Sequence, residues 1–223
     1  MLKYTKYIKN PEEPPKQLIV MLHGYGSNKS DLINLAPELS QSLPNALFIS
    51  PSAPFPLEGN IPFEWDGMKQ EEPRQWFSLL DRSGESLFKE MKKVEPIILD
   101  FILKQLEENS LGENNLCLFG FSQGTMLSLH LLLEGVIKPK LVLGYCGLAI
   151  DNTWKCGVDK KNTKVMLFYG QEDDIVPIKY METTKKILLK YGFQTQIHVL
   201  KHLAHEIDIY GIKQGGNFLK YNF

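Results

Sequence analysis

The 223-residue chain is nearly neutral, with 25 Lys and Arg residues against 26 Asp and Glu residues. This balance excludes the large basic field that attracts nucleic acid or an anionic membrane. Hydrophobic residues make up 43% of the sequence, which is enough for a substantial core and excludes a disordered chain. Because α/β folds of this length usually form one unit, we expect residues 1–223 to be a single domain.

The three cysteines, Cys117, Cys146 and Cys156, show no CxxC spacing, which argues against a disulfide framework or a zinc site and fits a reducing compartment. Residues 1–15 are polar and proline-rich, without the apolar centre of a secretory signal. No apolar run approaches the ~18 residues that span a bilayer. We therefore expect a cytoplasmic protein that does not insert stably into membranes.

Short apolar runs alternate with longer amphipathic segments, which predicts an α/β fold with a mostly parallel sheet and helices on both faces. The predicted strands are 18–22, 46–50, 116–120, 141–145, 165–169 and 196–200. The predicted helices are 31–42, with Ser30 or Asp31 as its cap, 85–108, with a candidate kink at Pro96, 124–134, 179–191 and a last one after Glu206. Residues 51–75, rich in proline and aromatic residues, are too long for a simple connection and predict either a functional loop or a packed surface excursion.

A candidate nucleophile lies in Gly120-Phe121-Ser122-Gln123-Gly124, which matches G-x-S-x-G. The motif directly follows an apolar strand pattern and directly precedes a helical one. Strand, sharp turn and helix form the nucleophile elbow, which exposes the serine hydroxyl at a helix N-terminus. A tight turn with a merely capping serine is the alternative interpretation. We expect Ser122 to be the nucleophile.

A serine hydroxyl needs a base to take its proton at neutral pH. In α/β folds with a nucleophile elbow, the base follows the last strand. There the sequence offers His202 and His205, and we favour His205. The other histidines are predicted to lie in a glycine loop, in an apolar helix and in a strand: His23, His130 and His198.

The third member of a catalytic triad is a carboxylate that follows an earlier strand and orients the histidine. Glu172, Asp173 and Asp174 come directly after the strand pattern that ends near Tyr169. The local spacing up to Val176 favours Asp173, with Asp174 as the alternative.

Acyl transfer also needs N–H donors for the oxyanion of the tetrahedral intermediate. His23-Gly24-Tyr25-Gly26 follows the first predicted strand, where the α/β-hydrolase fold supplies one donor, and the residue after the nucleophile supplies the other. We assign these donors to the backbone of Tyr25 and Gln123. The order of serine, acid and histidine along the chain is that of the α/β-hydrolases.

The sequence resembles the acyl-protein thioesterase, or phospholipase/carboxylesterase, family of α/β-hydrolases. The matching segments run in the family's order over most of the chain: LHGYGSN (22–28), PSAPFP (51–56), RQWFSL (74–79), GFSQG (120–124), GQEDDIVP (170–177) and HLAHEID (202–208). The resemblance implies a small hydrolase without a large cap domain, with Ser122, Asp173 and His205 as its triad and no metal or cofactor.

Some positions depart from the family pattern. Tyr169 stands where the family usually has histidine, and Leu203-Ala204 replaces a glycine-containing segment before the base. The stretch 58–72 is longer than the typical family loop and contains Trp65. Because that loop borders the acyl site in the family, we name Trp65 as a candidate substrate-binding residue, together with Trp76 and Phe77 of the family segment RQWFSL.

We predict a serine esterase or thioesterase that acts on a small acyl ester or an S-acylated protein through an acyl-enzyme intermediate. A lysophospholipase or a peptidase could use the same triad. A non-catalytic binding protein that retained the fold is a more remote alternative. Family members often pair, so a homodimer is a further expectation from the resemblance, and no nucleic-acid partner is expected.

Overall fold

A computed structural model describes residues 2–58, 72–155 and 162–223. The strands in these residues are β1 (Tyr4–Ile8), β2 (Gln17–Leu22), β3 (Ala46–Pro51), β4 (Phe55–Pro56), β5 (Arg74–Gln75), β6 (Leu116–Phe121), β7 (Leu141–Tyr145), β8 (Lys164–Gly170) and β9 (Gln194–Leu200). The helices are α1 (Lys29–Leu32), α2 (Ala36–Leu39), α3 (Gly84–Glu108), α4 (Gln123–Glu134), α5 (Lys179–Lys190) and α6 (Ile209–Asn222).

Seven of these strands form one sheet in the order β1-β3-β2-β6-β7-β8-β9, while β4 and β5 make a separate antiparallel pair. β1 pairs antiparallel with β3, and every other pairing in the large sheet is parallel. The mostly parallel sheet that the sequence predicts is confirmed. The strand β1 is not among the predicted strands and lies within residues 1–15, which are polar and proline-rich.

Alternating side chains of the central strands enter two hydrophobic cores, one on each face of the sheet. Leu18, Val20 and Leu22 of β2 pack with apolar residues of α3, α4 and α5, whereas Ile19 and Met21 pack with residues of α1, α2 and α6. Because successive strand residues point to opposite faces, an unbroken apolar run is what a strand covered on both sides requires.

The segment after β2 is the main departure from the predicted helices. Instead of one helix over 31–42, the chain forms α1, a 3₁₀ turn (Ile33–Leu35) and α2. Its N-cap is Asn28, whose side chain accepts from the Ser30 N–H at 2.9 Å, rather than Ser30 or Asp31. Pro37 lies in the first turn of α2, where its lack of an N–H costs nothing. α3, by contrast, continues through Pro96.

None of the helices in the described residues is long and apolar enough to cross a membrane.

Candidate active site

The residues that the sequence singles out lie at one edge of the sheet. Ser122 follows β6, Asp173 follows β8 and His205 follows β9, while Tyr25 follows β2. These strands run parallel in one sheet, with β7 between β6 and β8, so their carboxyl ends meet at the same edge. This is the edge at which open α/β sheets bind ligands.

Ser122 occupies a backbone conformation that L-residues rarely adopt, with φ 51° and ψ −113°. Its N–H donates to the carbonyl of Tyr145 at 2.8 Å, and its own carbonyl accepts from the Met126 N–H at 3.1 Å. In the described chain its hydroxyl makes no capping hydrogen bond to α4. This geometry favours an elbow that presents the hydroxyl over a serine that only caps the helix.

The glycines on either side of Ser122 allow three segments to come close together. A Cβ on Gly124 would overlap the carbonyl oxygen of Leu22, at the end of β2, and a Cβ on Gly120 would overlap the backbone of Thr125. α4 can therefore begin directly against the end of β2, which sets the sharp angle of the turn.

Asp173 and His205 form a hydrogen-bonded pair. Nδ1 of His205 lies 2.8 Å from Oδ2 of Asp173, whose side chain is buried. The other carboxylate oxygen accepts the backbone N–H groups of Ile175 and Val176 at 2.9 and 2.8 Å. A carboxylate only accepts when ionised, so the proton of a neutral His205 stays on Nδ1 and Nε2 is left as the acceptor. The His205 ring packs against Phe121, with the ring centroids 5.0 Å apart.

The neighbouring acids and His202 are exposed and lie apart from the pair of Asp173 and His205. Asp174 is exposed, and the exposed pair of Glu172 and His202 lies 3.0 Å apart. The structure thus brings Asp173, rather than Asp174, to His205.

The remaining histidines also lie where the sequence places them. His130 is buried within α4, with Nε2 2.8 Å from Glu95, and burial lowers its pKa. His198 lies in β9 and stacks on Phe168, with the ring centroids 4.9 Å apart. Both positions are separate from the cavity that Ser122 and His205 share.

Tyr25 and Gln123, the expected oxyanion donors, lie beside Ser122. Both line the same cavity as Ser122 and His205. Gln123 is the first residue of α4, where backbone N–H groups have no partner inside the helix. The Gln123 side chain points inward: Oε1 accepts from the N–H of Trp76 and Nε2 donates to the carbonyl of Phe77, both at 2.8 Å.

A positioning role for His23 was not recognised from the sequence. Its Nδ1–H donates to the carbonyl of Gly24 at 2.7 Å, and its Nε2 accepts the N–H of Ala53 at 3.0 Å. Its own carbonyl accepts the indole N–H of Trp76 at 2.9 Å. Burial lowers the pKa of His23 to about 4, which keeps the ring neutral. The imidazole therefore fixes the backbone of the loop that carries Tyr25.

Two of the three candidate substrate-binding residues do not touch the cavity. Trp76 and Phe77 are 0% and 1% exposed and do not line it within the described chain. Trp76 packs against the ring of His23, and the backbone groups of Trp76 and Phe77 hydrogen-bond to the side chain of Gln123. Their support for the site is therefore indirect. Trp65 lies outside the described residues.

The cavity beside Ser122 has a volume of about 610 Å³. Its wall is mostly apolar, and the polar side chains of Arg82 and Asp151 also line it. The apolar residues come from the segment before α3, from the start of α3, from α4, and from the segments after β7 and β8: Leu79, Leu87, Met126, Leu148, Ile150, Ile175 and Val176.

A serine elbow, an Asp–His pair and a parallel sheet with helices on both faces define the class of α/β-hydrolases. Within that class, the family model described as phospholipase/carboxylesterase matches residues 4–223, and the chain belongs to this family.

Curated relatives and solved structures agree with this family. Esterase YpfH of Escherichia coli is 22% identical over 96% of this chain and 86% of its own. Acyl-protein thioesterase 1 of Kluyveromyces lactis is 28% identical over 80% of this chain and 79% of its own. The crystal structure of esterase PE8 superimposes with a TM-score of 0.84 at 27% identity, covering 100% of this chain and 99% of its own. The predicted fold, family and class of enzyme, a serine hydrolase, are confirmed.

Proposed function

We propose that this protein hydrolyses carboxylic ester and thioester bonds of acyl substrates. In this proposal Ser122 is the nucleophile, His205 is the general base and Asp173 is its carboxylate partner. One observation carries the proposal. His205, whose Nδ1 lies 2.8 Å from Oδ2 of Asp173, lines the same cavity as Ser122, which has φ 51°.

The reaction proceeds through two acyl transfers. The Ser122 hydroxyl attacks the carbonyl carbon while Nε2 of His205 takes its proton, and His205 then protonates the leaving alcohol or thiol. Water, activated by the same nitrogen, releases the acid from the acyl-enzyme. Asp173 holds the proton of His205 on Nδ1 and stabilises the imidazolium that forms.

The oxyanion of each tetrahedral intermediate is bound by the backbone N–H groups of Tyr25 and Gln123. Such a donor contributes about 3 kcal/mol to the transition state. The hydrogen bonds of His23 and of the Gln123 side chain hold these two backbone segments in place before substrate binds.

The apolar wall supports an acyl chain as the part of the substrate that enters the cavity. The printed names of the relatives, an esterase and an acyl-protein thioesterase, support ester and thioester bonds as the target. We place the substrate, an acyl ester or an S-acylated protein, in the cytoplasm. Comparing turnover of p-nitrophenyl esters of increasing chain length, a lysophospholipid and an S-palmitoylated peptide identifies the acyl group and its carrier.

The nucleophile is tested with Ser122→Ala. We expect hydrolysis of p-nitrophenyl esters to fall by about 10⁵-fold or more, because the attacking oxygen is gone. A fluorophosphonate probe followed by peptide mass spectrometry should label Ser122 in the native protein. Retained turnover in a folded Ser122→Ala variant, or an adduct at another residue, would refute the assignment.

The acid is tested with the matched pair Asp173→Asn and Asp174→Asn. Asparagine at 173 favours the wrong tautomer of His205, so we expect kcat to fall by about 10⁴-fold. The exposed Asp174 should tolerate the same change with its kcat preserved. Equal losses in the two variants would contradict the role of Asp173.

A further inference from the structure

A cysteine thiol lies beside the proposed acid and base. Cys146 directly follows β7, the strand next to both β6 and β8, and has a left-handed backbone with φ 50°. It is 1% exposed, and its Sγ lies 3.5 Å from the carbonyl of Glu206. One ligand atom each from Cys146, Asp173 and His205 lie within 4.8 Å of one another.

Thiolate, carboxylate and imidazole are the three protein ligands that Zn²⁺ takes. Zinc bonds of about 2.0–2.3 Å in a tetrahedron separate the ligand atoms by about 3.3–3.8 Å. The three ligand atoms lie within 4.8 Å of one another, so side-chain shifts of about 1 Å would bring them to this spacing. The His205 side chain is 18% exposed and lines the cavity, which gives a cation a route from solvent.

We propose that Cys146, Asp173 and His205 form an inhibitory site for a thiophilic divalent cation of the Zn²⁺ type. The inhibition, though not the binding, rests on the proposed roles of Asp173 and His205. The cation would act as a reversible regulator of the hydrolase, and the reaction itself would have no need of it.

The charges balance when the cation binds. The S–H bond of Cys146 breaks, its proton goes to solvent, and a sulfur–zinc bond forms. The 2+ charge of the ion is then offset by the thiolate and by the carboxylate of Asp173. This compensation matters because both side chains are buried, where an unpaired charge is costly.

Binding would remove the base through Nδ1, the nitrogen of His205 that faces Asp173. When Nδ1 binds the cation, the ring proton moves to Nε2, which can no longer accept the proton of Ser122. The imidazole stays neutral, and the serine hydroxyl has no base.

The inhibition test measures ester hydrolysis in buffered free Zn²⁺, with Mg²⁺ as a hard-cation control. Each enzyme is compared with its own metal-free rate. The variants are Cys146→Ser, which replaces the thiol by a poor zinc ligand, and Cys146→Gly, which removes it and suits the positive φ. Cys117→Ala is the matched control, because Cys117 is a buried thiol within β6.

Zn²⁺ should inhibit the native protein and Cys117→Ala alike, and Mg²⁺ should not. The half-inhibiting concentration of Zn²⁺ should rise by about tenfold or more in both Cys146 variants. Equal zinc sensitivity in the native protein and a folded Cys146 variant would overturn the proposal, as would the absence of zinc inhibition in the native protein.

A readout without catalysis separates this proposal from the proposed function. Co²⁺ bound to native protein should give sulfur-to-cobalt charge-transfer absorption. The absorption should persist in Ser122→Ala, because the serine is not a ligand, and its absence from native protein would overturn the site even if no Cys146 variant folded. Hydrolysis by Ser122→Ala would instead overturn the proposed function and leave the cobalt spectrum as it was.

Discussion

The buried imidazole of His23 should make the stability of this protein depend on pH in a predictable way. Burial is the largest cause that lowers its pKa, from the ordinary value of 6.5 to about 4. The N–H of Ala53 points at Nε2, so a proton on that nitrogen would also break a buried hydrogen bond. The folded state therefore resists protonation over a pH range in which the unfolded chain accepts it.

The sign follows from proton binding. Between pH 6.5 and about 4 the unfolded chain carries a proton on His23 that the folded state lacks, so stability falls as the pH falls through this range. A difference of this size corresponds to about 3 kcal/mol in the free energy of unfolding. This contribution is fully present above pH 6.5.

The perturbation is His23→Gln, which removes the titrating group and keeps a side-chain acceptor near Ala53. Urea unfolding of native protein and variant, measured from pH 7 to pH 4, gives the free energy of unfolding of each. Their difference should change by about 3 kcal/mol across this range, because other titrating groups are common to both. His202→Gln, at an exposed histidine, controls for loss of an imidazole in general. A difference constant within about 0.5 kcal/mol would refute the reasoning.

Two further substitutions test the packing around the site. In Gly124→Ala the new methyl group overlaps the carbonyl of Leu22, and we expect destabilisation of about 3 kcal/mol or more, or failure to fold, measured by thermal unfolding. In Trp76→Phe the carbonyl of His23 loses its indole donor, which should cost about 2 kcal/mol by urea unfolding. If either variant unfolds like native protein, the contact assigned to it does not contribute to stability.

The central strands could be predicted from the sequence because both faces of the sheet are covered. From β2 to β8 the strands of the large sheet are apolar apart from Gln17, Ser50 and Lys164 near their ends, and their predicted and observed bounds differ by one residue or none. β1 (Tyr4–Ile8) was missed since Thr5 and Lys6 interrupt its apolar residues, as an edge strand allows. The prediction of one helix over 31–42 is wrong, and the chain forms short helical pieces there. Periodicity alone does not determine whether a turn is α or 3₁₀.

The placement of Ser122 and His205 could be predicted because each follows a strand that was itself predicted. The assignment of Asp173 over Asp174 gains from the three hydrogen bonds to its carboxylate, which spacing alone could only suggest. The proximity of Cys146 could not be predicted, since it depends on neighbouring strands far apart in sequence. Trp76, a candidate substrate-binding residue from the resemblance, is buried away from the cavity, because a sequence motif does not reveal which side of a loop a ring faces.

The backbone angles of Ser122 affect how this protein would respond to laboratory evolution for stability. A serine at this φ and ψ costs of order 1–3 kcal/mol, and glycine adopts such angles freely. A library of variants selected only for resistance to heat would therefore enrich glycine at position 122. Such a variant would unfold at a higher temperature and have no ester hydrolase activity. Directed evolution of the thermal stability of this enzyme therefore requires that ester hydrolysis be measured in every round.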